Sequence, residues 1–360
     1  MQQQLSRRHF ATLVGAGAAV AAFPSVLARG APGTPILLNS NENPHGPSPI
    51  AMRAMRESLD EVFRYPDDAE AELASAVAKL HGVTTGEVLL GNGSSDILRL
   101  AAAAFPGKTV TANPTFEALW SHAKDSEIVK VPLDASYAHD LGRMLEAASG
   151  ASLVYICNPN NPTATITPKE AVRSFLDAVP ASTTVLVDEA YFHYAQSPDY
   201  ETVAPLIATK PNLIVARTFS KIYAMAGLRC GYALAQHATI EKLAQQQAWN
   251  AINIFAAVAA VASLRDNAHV SVSRKRNQET RAYVVGELDR LGYRTLPSQA
   301  NFMMIDVRED VRPLIAKFRE GGVRVGRLFP PMPQHMRVTI GTMDEMRRFV
   351  DVFRTIKAAR

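Results

Sequence analysis

Lys221 ends the run Ala216-Arg217-Thr218-Phe219-Ser220-Lys221, and Arg229 follows in Gly227-Leu228-Arg229. A primary amine can form a Schiff base with a carbonyl compound. Two hydroxyls and a guanidinium beside it supply what a phosphate group needs. A lysine after an apolar strand is also a common solvated rim residue. The hydroxyls and arginine gathered around this one favour the reactive reading.

Three further runs carry chemistry of their own. Val185-Leu186-Val187-Asp188-Glu189-Ala190-Tyr191 ends an apolar stretch in a carboxylate, with a tyrosine three residues on. A carboxylate there can hold a cationic ring nitrogen. Strand alternation points Glu189 to the other face, which makes Asp188 the candidate. Asn158-Pro159-Asn160-Asn161-Pro162-Thr163 contains two Asn-Pro steps, which force a tight non-helical loop. An amide in that loop can face a ligand, or the loop is a plain turn. Gly91-Asn92-Gly93-Ser94-Ser95-Asp96 reads as a strand-to-helix turn whose free N–H groups suit a phosphate. Ser and Asp are equally ordinary helix caps.

The elements that position these residues are strands buried on both faces. Continuous apolar runs at Glu87–Leu90, Thr109–Thr111, Glu127–Val131, Ser152–Cys157, Thr184–Val187 and Asn212–Ala216 predict them. Helical patterns lie between, including Ile97–Phe105 and Lys169–Ala178, the latter with Thr167 as N-cap and Pro168 at its first position. Strand–helix alternation predicts an α/β fold with a mainly parallel sheet. From about residue 271 the pattern changes to a smaller α+β unit. It comprises a long helix (271–291), a strand at Asn301–Val307, a helix at Val311–Glu320, a strand at Arg337–Ile340 and a last helix.

Residues 1–28 read as an address. Ser6-Arg7-Arg8-His9-Phe10 precedes an Ala/Val/Gly-rich stretch that ends in Val26-Leu27-Ala28. This resembles a twin-arginine export signal with a small-residue cleavage site. Gly15, Gly17 and Pro24 make the stretch too weak for a membrane anchor. The expected boundaries are signal 1–28, arm 29–48, large domain 49–270 and small domain 271–360. The expected location is the periplasm, reached already folded and cofactor-loaded through the twin-arginine machinery.

Composition narrows the classes. Hydrophobic residues make up 47% and charged residues 20%, which excludes a disordered or low-complexity chain. A net charge of +4 without a basic stripe argues against a nucleic-acid partner. The two cysteines, Cys157 and Cys230, cannot build a disulfide framework. No metal site is expected.

Taken in order, the motifs resemble those of fold-type I, pyridoxal-phosphate-dependent aminotransferases, the histidinol-phosphate aminotransferase group above all. The resemblance rests on Leu38–Pro44, Arg64–Asp67, Asn158–Thr163, Asp188–Tyr191, Thr218–Lys221, Arg229 and Arg337–Thr342, which span most of the chain. It implies that Lys221 holds pyridoxal 5′-phosphate covalently. It implies a phosphate cup of Gly93, Ser94, Ser95, Thr218, Ser220 and Arg229. Asp188 resembles the partner of the ring nitrogen. Asn161 and Tyr191 resemble the donors to the ring phenolate oxygen, and Phe116 takes the stacking position. Tyr65 resembles the residue that reaches the partner subunit's phosphate in a homodimer. Arg337 resembles the clamp on the substrate α-carboxylate, with Asn41 and Arg327 as further substrate-facing residues. The substrates implied are an amino acid and a 2-oxo acid.

Two departures bear on the substrate. The stacking position, often Tyr, is Phe116 here. Many histidinol-phosphate enzymes carry an Arg directly after the Gly-Val-x-Val run; here Gly326 follows Gly322-Val323-Arg324-Val325 and Arg327 comes one later. The apolar loop Leu328–Pro333 then predicts a pocket for a neutral or aromatic side chain, and not for a phosphorylated one. Rival chemistries on the same cofactor are decarboxylation, racemisation and a lyase reaction. A non-catalytic periplasmic amino-acid binder is the rival outside catalysis, although such a binder has no need of Lys221, Asp188 and Arg229 together.

Overall fold

The computed structural model describes residues 34–124 and 126–358. The leader expectation at 1–28 and the first residues of the arm lie outside them. The chain enters through a short strand, β1 (Ile36–Leu38), and Pro49 then starts a helix, Pro49–Glu57, capped by Ser48 Oγ. That helix stops at Glu57. Ser58 turns its hydroxyl back onto the Ala54 carbonyl, and a 3-10 turn over Leu59–Glu61 follows.

The main sheet is built from β2 (Val88–Gly91), β3 (Lys108–Asn113), β4 (Glu127–Pro132), β5 (Leu153–Cys157), β6 (Thr184–Asp188), β7 (Leu213–Thr218) and β8 (Gly231–Leu234). Their order is β2-β8-β7-β6-β5-β3-β4, and only β8 runs antiparallel to its neighbours. Every residue of β5, β6 and β7 is buried, which is why their sequences do not alternate. Strand β8 is absent from the sequence reading. It reverses because β7 reaches it through a loop, Phe219–Cys230, and not through a crossover helix.

Helix Lys169–Ala178 has the expected bounds, but its N-cap is Pro168. Thr167 instead bonds Asn158, donating its N–H to Asn158 Oδ1, and accepts from the His139 N–H at Oγ1. Helix Ser94–Ala104 begins three residues before Ile97, directly at the Gly/Ser turn.

The C-terminal part packs around its own core of Leu38, Val284, Leu288, Met303, Phe318, Phe349 and Phe353. Strands β9 (Arg294–Thr295), β10 (Phe302–Asp306) and β12 (His335–Thr339) form an antiparallel sheet in the order β12-β10-β9. Strand β11 (Val323–Val325) pairs in parallel with β1, so the arm joins this layer. Helices Asn267–Arg290, Val311–Glu320 and Met343–Ala358 cover it. The first of these starts before 271 because Asp266 caps it, accepting from the His269 N–H at 3.0 Å. Among the described residues no helix is long and apolar enough to cross a membrane.

Candidate active site

Parallel strands aim their C-terminal ends at one edge of the sheet, where open α/β folds bind ligands. Gly91 closes β2, Asn113 β3, Cys157 β5, Asp188 β6 and Thr218 β7 at that edge. There a cavity of about 400 Å³ opens, lined among others by Asn41, Ser94, Ser95, Phe116, Asn161, Asp188, Tyr191, Thr218, Ser220, Lys221, Arg229 and Arg337. Most of the candidates read from the sequence therefore meet in one place.

One end of the cavity is a polar cup. Ser94 opens the helix Ser94–Ala104, so its first-turn N–H groups face the space. Thr218 donates from Oγ1 to Ser220 Oγ at 2.9 Å, and the Arg229 guanidinium donates to the same Ser220 oxygen at 3.3 Å. Gly93 stands behind this cup: a Cβ on it would sit 2.2 Å from Arg229 Nη2, and its φ is +77°. Gly231, at the start of β8, was missed by sequence reasoning. Its Cβ would lie 2.5 Å from the Ser94 amide nitrogen and 2.7 Å from the Arg217 carbonyl. Only the glycine following Arg229-Cys230 hinted at it.

In the middle stands Asp188, buried at the end of β6. Its Oδ1 accepts from the Ala190 N–H at 3.0 Å and its Oδ2 from the Tyr155 hydroxyl at 3.1 Å. Burial pushes its carboxyl up to about 6, while the Tyr155 and Ala190 donors and the Lys221 charge pull the other way. Lys221 Nζ donates to the Asn41 carbonyl at 3.2 Å. Burial, with Arg337 nearby, lowers its ammonium to about 8. An amine so shifted is partly neutral near neutrality, as a nucleophile or base requires.

Opposite the cup lies Arg337 on β12, buried, with Nη1 on Asn161 Oδ1 at 2.8 Å and Nη2 on the Asn39 carbonyl at 2.7 Å. Its Nε is buried without a partner. Asn161 spends its amide oxygen on Arg337, which leaves its NH₂ as the group it can offer a ligand. Asn41 adopts a left-handed φ of 55° and donates from Nδ2 to the Tyr191 hydroxyl at 3.1 Å. Asn301, read from the sequence only as the start of a strand, donates to the Asn41 carbonyl at 3.0 Å and secures that turn.

Two candidates stand elsewhere, and one loop is misplaced by the sequence reading. Arg327 pairs with Glu117 at the surface and does not line the cavity. Tyr65 is 80% exposed and the single chain does not bring it to the site. Phe329 and Met332 of the apolar loop are buried against Met304, with Tyr137 and Leu296 packed on them. The loop therefore fills space behind Arg337, whose guanidinium lies 5.1 Å from the Phe329 ring, and adds no wall to the cavity.

Residues 34–353 match the family model of class I and II aminotransferases. The chain belongs to this family. It is 40% identical over 332 residues to a histidinol-phosphate aminotransferase from Moorella thermoacetica, covering 90% of this chain and 86% of that protein. It is 38% identical to the protein of the same name from Symbiobacterium thermophilum, covering 89% and 90%. Its fold matches the histidinol-phosphate aminotransferase from Sinorhizobium meliloti, solved in complex with pyridoxal-5′-phosphate, with a TM-score of 0.84 at 25% identity, covering 92% of this chain and 99% of that one. The chain is thus a pyridoxal-phosphate-dependent transaminase acting on an amino acid and an oxo acid. The aminotransferase site fits that cofactor on its own evidence. The glycine-cleared cup with Arg229 suits a phosphate, Asp188 suits a protonated ring nitrogen, and the Lys221 amine suits an aldehyde.

Proposed function

We propose that this aminotransferase works in the periplasm as a homodimer on an α-amino acid with a neutral side chain. When bound, pyridoxal 5′-phosphate supplies an electron sink for the pair left on the substrate α-carbon. The Asp188 anion would hold a proton on the ring nitrogen. The Asn161 NH₂ and the Tyr191 hydroxyl would donate to the ring oxygen. With the cofactor bound, the Lys221 amine would be the group that takes the α-proton and gives a proton back, as its lowered proton affinity suits. Phe116 would cover one face of the ring, and Arg337 would orient the substrate through a two-point contact with its carboxylate.

One observation carries the substrate reading. Among the described residues, Arg229 and Arg337 are the arginines that line the cavity, and Arg229 belongs to the cup. Arg327 is held by Glu117, and a Cβ at position 326 would come within 2.7 Å of the Arg337 carbonyl. One guanidinium matches one carboxylate; histidinol phosphate has no carboxylate and would set a near-dianionic phosphate in its place, with no second guanidinium to meet it. The names of the relatives favour the second reading, histidinol phosphate.

The test is kcat/KM for histidinol phosphate against aromatic, aliphatic and basic amino acids. Preference for a neutral amino acid by tenfold or more is expected, since losing one charge-assisted contact costs about tenfold or more in affinity. Preference for histidinol phosphate, or rescue of a histidine auxotroph by leaderless enzyme at low expression, would overturn it.

The leader motif Ser6-Arg7-Arg8-His9-Phe10 supports export in the folded state. Changing Arg7-Arg8 to Lys-Lys should strand active, cofactor-bound enzyme in the cytoplasm. Activity found only after export would defeat this reading. Exposed Leu59, Val62, Phe63 and Tyr65, grouped at the end of the Pro49–Glu57 helix, support a subunit interface there.

A further inference from the structure

Tyr155 lies on β5, fully buried, and is not part of the cavity wall. In the parallel register Cys157 stands beside Asp188 and Tyr155 beside Leu186. Side chains alternate along a strand, so Tyr155, Cys157, Leu186 and Asp188 share one face of the sheet. Tyr155 is thus the diagonal neighbour of Asp188, and a ring with a para hydroxyl has the length to span that diagonal. Its hydroxyl meets Asp188 Oδ2 at 3.1 Å. The ring lies in the buried apolar cluster that also holds Ile97, Leu98, Leu119, Leu186 and Ile214, which leaves it little room to move.

The carboxylate is therefore held from behind at both oxygens, by the Ala190 N–H and by the Tyr155 hydroxyl. An ionised carboxylate has about four acceptor sites, so two donors leave others for the cavity. A phenylalanine would fill the same volume and leave Oδ2 without this donor in a buried setting, where an unmet acceptor is costly. We propose that Tyr155 is a positioning residue of the reaction, whose hydroxyl aims the Asp188 carboxylate and supports its negative charge toward the ring nitrogen of the bound cofactor. This rests on the reading that Asp188 serves that nitrogen.

The other groups around Asp188 set the direction of the effect. Lys221 favours its anion, whereas Glu189 disfavours it. Cys157, Tyr191 and Tyr200 also face it, each with burial pushing its proton affinity up, so all three stay neutral. Burial holds the Tyr155 hydroxyl well above its ordinary value too, so it remains a donor throughout the working range. Removing that donor raises the proton affinity of Asp188, which at about 6 already lies close to neutrality.

The experiment compares wild type, Tyr155→Phe, Asp188→Asn and the double variant. Apo-enzyme is titrated with pyridoxal 5′-phosphate by absorbance between roughly pH 6 and 8.5, alongside kcat and KM against pH. Tyr155→Phe is expected to weaken cofactor binding about tenfold at the acid end and less at the alkaline end. Its acid limb in kcat should move to higher pH, while KM changes less than twofold. On the Asp188→Asn background the same change should have no further effect on binding. A uniform loss at every pH, full additivity in the double variant, or wild-type behaviour of Tyr155→Phe would overturn the proposal. If Asp188→Asn itself binds the cofactor like wild type, the assignment of Asp188 falls, and the role of Tyr155 with it. A second variant, Tyr155→Leu, should reproduce the acid-limb shift; a Leu variant with the wild-type profile counts against the hydroxyl.

Discussion

Glu189 and Arg217 form a buried ion pair, Oε2 to Nη2 at 2.8 Å, on the face of the sheet opposite Asp188 and Thr218. Each is the chain neighbour of a cavity residue, so the pair ties β6 to β7 directly beneath the site. Thr202 and the Val203 N–H complete the carboxylate's hydrogen bonds, and Phe192 covers the guanidinium at 3.6 Å. Breaking such a pair leaves one buried charge without compensation. Arg217→Ala should therefore cost about 3–5 kcal/mol of stability. The double change Arg217→Met with Glu189→Leu should cost clearly less, because no charge remains. Denaturant unfolding of the three proteins measures this; equal losses would show that the charges do not matter.

The cup depends on a missing side chain. At Gly231 a Cβ would press on the Ser94 amide and the Arg217 carbonyl, both backbone groups that have little room to move. Gly231→Ala should weaken pyridoxal 5′-phosphate binding by at least tenfold, with a smaller effect from free pyridoxal, which lacks the phosphate. Isothermal titration of the apo-enzyme with each compound gives the comparison. Equal losses for both would place the damage outside the cup.

Two shifted groups define a pH window. Lys221, lowered to about 8, carries a free amine above that pH and an ammonium below it. Asp188, raised to about 6, is an anion above that value. Covalent loading of apo-enzyme should thus speed up as pH rises through about 8, where an ordinary lysine would still wait for about 10.4. Stopped-flow absorbance follows it. Lys221→Ala should keep its circular-dichroism spectrum and melting temperature, lose turnover, and yield no borohydride-stable lysine adduct. Substantial transamination by that variant would refute the lysine's role.

Tyr65 tests the shared site. Co-expressed Tyr65→Phe and Arg229→Ala chains should form heterodimers with both lesions in one site and none in the other. Activity near half of wild type is expected in the purified heterodimer. Activity no better than either parent homodimer would mean that each site belongs to one chain.

Much of the site was legible because reactive residues sit immediately after buried strands. Asp188 and Thr218 end wholly buried runs of five and six residues, Asn161 and Lys221 come soon after such runs, and that burial is what makes the runs continuously apolar. Parallel pairing carries such strand ends to one edge, so local sequence order predicts spatial assembly. Arg337 could be named only through resemblance, since the second layer meets the first through packing.

The sequence by itself determined the parallel strands of the main sheet, which residues end them, and that a lysine, a carboxylate, hydroxyls and arginines converge. Local propensity and apolar runs carry that information along the chain. The tertiary structure alone decided what each neighbour does. It turned Arg327 onto Glu117, sank Phe329 and Met332 behind Arg337, reversed β8 so that Gly231 backs Ser94, and set Tyr155 against Asp188. These are contacts between residues distant in sequence. Their partners are chosen by sheet register and by the packing of two layers, and no local pattern encodes either.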